Sequence, residues 1–158
     1  MRKNVALSLV LVVCIGLSAL AAVRGDKAMY VGGTLDIPER TKGKLDLSGE
    51  DAAVFLSKKG EPLFEIPYAN ITSLEYGQKA GRRVGVAIAV NPLFLFSKKR
   101  KHYVTIGFSD AEGINQGVVL ELAKGTVHKS VTTFETRSGM KIEFESENAK
   151  KHYEKGAK

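Results

Sequence analysis

Imidazole can ligate a metal, carry a proton or hold an anion, so the chain's three histidines, His102, His128 and His152, are weighed first. They are 26 and 24 residues apart, far from the spacing of a few residues at which two histidines on one element share a zinc ion, and the pattern predicts no metal site. Ser109 and Asp110 follow His102 on a stretch that reads as a strand, which spaces the three groups out, and no nucleophile elbow surrounds Ser109. A hydrolase triad is therefore not expected. Gly32-Gly33 and the run Gly81 to Gly85 lack the Gly-Lys-Ser/Thr ending of a phosphate loop. Asp46, Ser48, Glu50 and Asp51 lack the spacing and final glutamate of a calcium loop and read as a turn. Asn70-Ile71-Thr72 matches a glycosylation acceptor but begins a predicted strand. The single cysteine, Cys14, excludes a disulfide framework and a Cys-based zinc site. The sequence thus predicts no catalytic centre and no cofactor.

The residues that do stand out form one segment. From Gln78 to Tyr103 there is no acidic residue, while Lys79, Arg82, Arg83, Lys98, Lys99, Arg100 and Lys101 supply seven positive charges. The formal net charge of the chain is +7; loss of Arg2 and Lys3 would leave +5, and without the seven the remainder is −2, so the basic excess is one local patch. Between the cations lie thirteen uncharged residues, Val84 to Phe96, too few to span a bilayer and of a length that suits a core element, a re-entrant loop or an interfacial segment. Asn91-Pro92 divides them into two arms. Gly81, Gly85 and Ala89 would form a small-residue ridge on a helix; Val84, Val86, Ile88 and Val90 alternate as a strand would, and the glycine and alanine content tips the reading toward helix.

The elements around this segment follow from length and pattern. The 158 residues are 44% apolar and 26% charged, with 16 Gly and 4 Pro, which fits one globular domain and excludes disordered, collagen-like and polytopic membrane chains. Met1 to Asn4 is a short basic stretch, Val5 to Leu20 an apolar run, and Ala19-Leu20-Ala21 a small-residue cleavage site, so residues 1–21 read as a signal peptide of bacterial type, with an uncleaved anchor as the alternative. Cys14 follows Leu11-Val12-Val13 rather than a small residue and belongs to the signal core, not to a lipidation site. The expected location is periplasmic or secreted, with membrane attachment if the segment is retained.

Beyond residue 22 the pattern alternates with period two between Gly, Pro, Asn, Asp and Ser clusters, predicting seven strands: Ala28 to Gly32, Lys44 to Ser48, Ala53 to Ser57, Pro62 to Pro67, Ile71 to Tyr76, His102 to Phe108 and Gly117 to Leu122. His102, Val104, Ile106 and Phe108 share one face, predicted buried; Tyr103, Thr105 and Gly107 share the other, predicted wet. From Thr126 to Ser138 the period becomes helical, with Val127, Val131 and Phe134 as the apolar stripe and Gly139 as the stop. Met140, Ile142 and Phe144 predict a last short strand, and residues 146–158 a charged flexible tail.

Seven short antiparallel strands followed by one amphipathic helix resemble the pleckstrin-homology-like barrel, and Ile66 to Tyr76 is similar to the strand-turn-strand of its bacterial and GRAM-type members. The resemblance implies a mainly β domain over residues 22–145, a seven-stranded antiparallel barrel capped at one open end by Val127, Val131 and Phe134, with residues 78–101 inserted between the fifth and sixth strands. The strand after the helix departs from the family pattern. Phosphoinositide binding is not carried over, because Arg40, Lys42 and Lys44 between the first strands are mixed with Asp36 and Glu39.

These features predict an exported, non-enzymatic interaction domain. Arg82, Arg83, Leu93, Phe94, Leu95, Phe96, Lys98, Lys99, Arg100 and Lys101 would dock it on an anionic lipid surface or a membrane protein, the apolar residues entering an apolar phase and the cations meeting phosphates. The competing structural role for the segment is to cover an open end of the barrel. The alternative function is a small-ligand carrier or enzyme using a barrel cavity. Ser97 to Tyr103 also suits nucleic acid, with Tyr103 as a stacking platform, but export separates it from that partner.

Overall fold

A computed structural model of the chain describes residues 25–78 and 101–156. Residues 1–24, which include the predicted signal peptide, and the segment from Lys79 to Arg100 lie outside the described residues. The strands are Asp26–Gly33 (β1), Thr41–Asp46 (β2), Ala52–Ser57 (β3), Pro62–Pro67 (β4), Ile71–Gly77 (β5), His102–Ser109 (β6), Asn115–Leu122 (β7) and Ile142–Phe144 (β8). Helix Val127–Ser138 (α1) follows β7, and helix Glu147–Gly156 (α2) ends the described chain. Among the described residues no helix is long and apolar enough to cross a membrane.

The fold is mainly β, but the expected seven-stranded barrel is corrected to an open, mixed sheet of eight strands in the order β4-β3-β2-β1-β7-β6-β5-β8. The first seven pair antiparallel, whereas β8 runs parallel to β5 through Leu74↔Ile142 and Tyr76↔Phe144. Here lies the physical reason for the difference. Closing a barrel requires the outer edge of β5 to meet β4, and β8 occupies that edge. Register shifts in β1, β3 and β5 bend the sheet around its inner face.

That inner face carries the core: Tyr30, Leu45, Phe55, Ile66, Leu74, Val104, Ile106, Val118 and Leu120 are buried there, and α1 adds Val127, Val131 and Phe134. Phe134 is 0% exposed and meets Tyr68 edge-on at 6.1 Å, so the predicted apolar stripe is buried. Gly139 ends α1 with φ of +72° and donates its N–H to the Glu135 carbonyl, the left-handed stop for which glycine carries no side-chain penalty. At Gly43 the need for glycine is steric. A Cβ there would stand 2.1 Å from the Leu56 carbonyl oxygen of the paired strand.

One expectation fails on particular residues. The outward face of β6, predicted wet, is dry: Tyr103 and Thr105 are buried, and Tyr103 clusters with Val31 of β1 and Val119 of β7. The alternation holds, but a tyrosine ring beside two valines on adjacent strands is removed from water whatever its hydroxyl does. Within the charged tail, Glu147–Gly156 forms the helix α2. Ser146 Oγ accepts the Ala149 N–H at 3.2 Å, Glu147 occupies the first turn, and Ala149 and Tyr153, four residues apart, turn one face onto the core.

Candidate functional site

Because β5 and β6 pair at Gly77↔Tyr103, the chain leaves the sheet at Gln78 and re-enters it at Lys101 at one place, and the residues lining that end can be built up from there. Of the docking residues predicted from sequence, Arg82, Arg83, Leu93, Phe94, Leu95, Phe96, Lys98, Lys99 and Arg100 lie outside the described residues. Lys101 is described: its Nζ is 2.8 Å from Glu121 Oε2 of β7, both side chains partly exposed. Glu121 in turn lines a depression of about 500 Å³ on the outer face, whose rim carries Lys27 of β1, Lys42 and Lys44 of β2 and Lys58 of the β3–β4 turn. Register explains the grouping, since Lys27 lies opposite Lys44 and Met29 opposite Lys42, so the lysines project from neighbouring positions of one face. On the same face burial, reinforced by the Glu121 carboxylate, pushes the Tyr103 hydroxyl up to about 12.

A second concavity, of about 550 Å³, opens on the other side of this end. It brings together the three histidines that the sequence scattered. Tyr76 near the end of β5 and His102 at the start of β6 share the inner face, and Tyr76 Oη lies 2.6 Å from His102 Nδ1. His128 comes from the first turn of α1, and His152 and Tyr153 from α2, with the Tyr153 ring 5.1 Å from His128 and 5.5 Å from Tyr76. Lys124, in the turn before α1, and Lys155 complete the charged lining.

Burial, with Tyr153 adding to it, pushes the Tyr76 hydroxyl up to about 12, so it keeps its proton at neutral pH. Burial first, and then the charges of Lys124 and His152, pull the His102 imidazole below its ordinary value, so the neutral ring is favoured. A protonated phenol beside a neutral imidazole assigns Tyr76 as donor to Nδ1 and leaves the ring N–H on Nε2. Burial also raises Tyr153. No carboxylate is among the described residues lining the cleft. Glu145 Oε2 accepts the Gln78 N–H at 3.0 Å and Glu135 Oε1 the Ile142 N–H at 2.9 Å, both beside β8. A cleft of cations, N–H and O–H donors is chemistry for holding an anion.

The other sequence candidates form turns. Asp110, just past the end of β6, accepts from the Gln116 side-chain amide and from the Ile114 and Glu112 N–H groups, which hold its carboxyl below the usual range, and Ser109 pairs with Asn115. Asp46 Oδ1 accepts the Ser48 N–H at 2.9 Å. Among the described residues no three His, Cys, Asp or Glu are grouped to hold a metal ion. The signal that sequence reading missed is the Ser146 cap with Ala149 and Tyr153, which makes α2 a helix and so carries His152 back to the sheet. No protein-family model matches the chain, and no curated protein matches it.

Proposed function

We propose that this protein is an exported, non-enzymatic interaction domain, pleckstrin-homology-like in design, that docks on an anionic membrane surface through its basic-apolar segment. The resemblance draws support from seven antiparallel strands followed at once by α1. One observation carries the docking reading: the acid-free cationic run that ends at Lys101 continues, through the Lys101–Glu121 pair, into a face bearing Lys27, Lys42, Lys44 and Lys58. The only carboxylate among the described lining residues of that depression is the one Lys101 engages. Such a face raises the local concentration of anionic lipid, each lysine contributing about 1 kcal/mol near the surface.

Sedimentation with phosphatidylserine vesicles tests this. Changing Lys27, Lys42 and Lys58 to Gln should weaken binding roughly a hundredfold if the three contribute about 1 kcal/mol each. Raising salt to about 0.5 M should mimic the change, because screening then reaches only a few ångströms. Phe94→Ser with Phe96→Ser should instead remove the binding that survives high salt. A protein that ignores anionic vesicles at low salt does not dock on lipid, and the membrane-protein partner takes its place.

A further inference from the structure

The histidine-lined cleft goes beyond the docking face and does not depend on it. We propose that this cleft is an oxyanion site that takes a phosphate group, filled more readily as its histidines gain protons. The charged and titratable groups facing it are Tyr76 from β5, His102 from β6, Lys124 from the turn before α1, and His128 from α1. From α2 come His152, Tyr153 and Lys155. Lys124, Lys155, His128 and His152 can each donate a hydrogen bond in the appropriate protonation state, Tyr76 having given its O–H to His102, and no acidic side chain is among the described residues lining the cleft.

The local helix geometry gives an independent reason. The first turn of α1 has no acidic residue, and no side-chain cap is made by Thr126, whose hydroxyl donates to the Ala123 carbonyl instead. Helices ordinarily place acids and caps at this end, because the first N–H groups are unbonded and the dipole is positive there. Here the sequence puts Lys124, His128 and Lys129 at that end. Lys129 answers Asp26 at 3.7 Å, away from the cleft, but Lys124 and His128 face into it. Lys155, by contrast, sits where α2 ends and suits the dipole anyway. Cations crowded at the wrong end of a helix are relieved by an anion held among them. The arrangement does not specify whether the phosphate arrives as a soluble monoester or as a lipid headgroup, since both present the same oxygens.

Sulfate is the cleaner first probe, because it keeps one charge across the range in which histidine titrates, so a pH effect on its affinity belongs to the protein. Titration of the full chain, followed through the histidine ring resonances, should show sulfate binding at least about tenfold tighter near pH 5.5 than near pH 8, with the His102, His128 and His152 signals moving together. Lys124→Gln with Lys155→Gln should weaken it about tenfold or more at both pH values while circular dichroism stays unchanged. His152→Gln, a single change, serves if the double variant misfolds, and it should shrink the difference between the two pH values. Inorganic phosphate should compete with sulfate; if phosphatidic acid vesicles bind as well, lose that binding in the double variant and are displaced by sulfate, the source is a headgroup. Vesicles that fail where phosphate succeeds assign a soluble ligand. Absence of sulfate and phosphate binding near pH 5.5, or affinity unchanged in the lysine and His152 variants, would overturn the proposal, and neither result touches the Lys27, Lys42 and Lys58 experiment.

Discussion

At its C-terminal end α1 is tied down from every side. Gly139 turns the chain left-handed, Ser138 Oγ donates to the Phe134 carbonyl at 2.6 Å, and Arg137 Nη1 donates to the Leu47 carbonyl at 2.6 Å and to that of Gly49 while its guanidinium lies 5.3 Å from the Tyr68 ring centroid. The N-terminal end has neither cap nor acid, and a cleft ringed by lysine, histidine and tyrosine stands beside it. A helix of twelve residues gains the same packing along its stripe wherever its ends are. The contrast therefore separates two arrangements of polar groups: at one end they close onto the helix and the neighbouring backbone, and at the other they line a space that a ligand can enter, with Tyr76 and His102 bonded to each other at its wall.

The closed end should dominate stability, and the largest effect follows from it. Phe134→Ala removes a ring with 0% exposure from between α1 and Tyr68, and should cost about 3–5 kcal/mol in a denaturant melt. A cost below about 1 kcal/mol would mean that the site collapses without penalty, and the two ends would no longer differ in kind.

Both the stripe and its stop were legible in the sequence because each is local: Val127, Val131 and Phe134 sit one helical face apart, and Gly139 follows at once. Strand alternation was legible for the same reason, and Pro62–Pro67 appears with the bounds its two prolines set. What was not legible depends on distant pieces meeting. His102, His128 and His152 share a cleft only because β8 returns along β5 and α2 then lies against Tyr76, and no spacing rule in the chain encodes a three-residue strand pairing parallel to one far upstream. The open sheet has the same origin. Residue type alone places Tyr103 and Thr105 on a wet face, whereas both are buried, Tyr103 against Val31 and Val119 on adjacent strands.

At the open end the expected effect is smaller and depends on pH. His102 is held below its ordinary value in the folded chain, so above about pH 6.5 both folded and unfolded rings are neutral and the stability is complete. As pH falls through the unfolded value the unfolded chain takes up the proton more readily than the folded one, and stability drops until the folded pKa is passed. Chemical melts near pH 7.5 and 5.5 should therefore show a lower midpoint at acid pH. The gap should narrow in His102→Gln, which keeps a hydrogen-bonding group near Tyr76 but cannot gain a proton. An equal gap in the variant would assign the pH dependence to other groups and remove His102 from the comparison.

The smallest effect is also the sharpest, because the two ends predict opposite signs. If the N-terminal end of α1 were built for stability, replacing His128 could only lose the contact its ring makes with Tyr153 at 5.1 Å. If instead cations are gathered there for an anion, a fixed negative charge should act as a built-in substitute. His128→Glu places a carboxylate in the first turn, where the dipole favours it by about 0.3–1 kcal/mol, and faces it toward Lys124. Thermal melts should accordingly show the variant as stable as the parent or slightly more so, while sulfate no longer raises the melting temperature, since its place is contested by like charge. A variant that is destabilised and still gains stability from sulfate would show that His128 packs rather than binds, and the N-terminal end would then have to be read by the same rule as the C-terminal one.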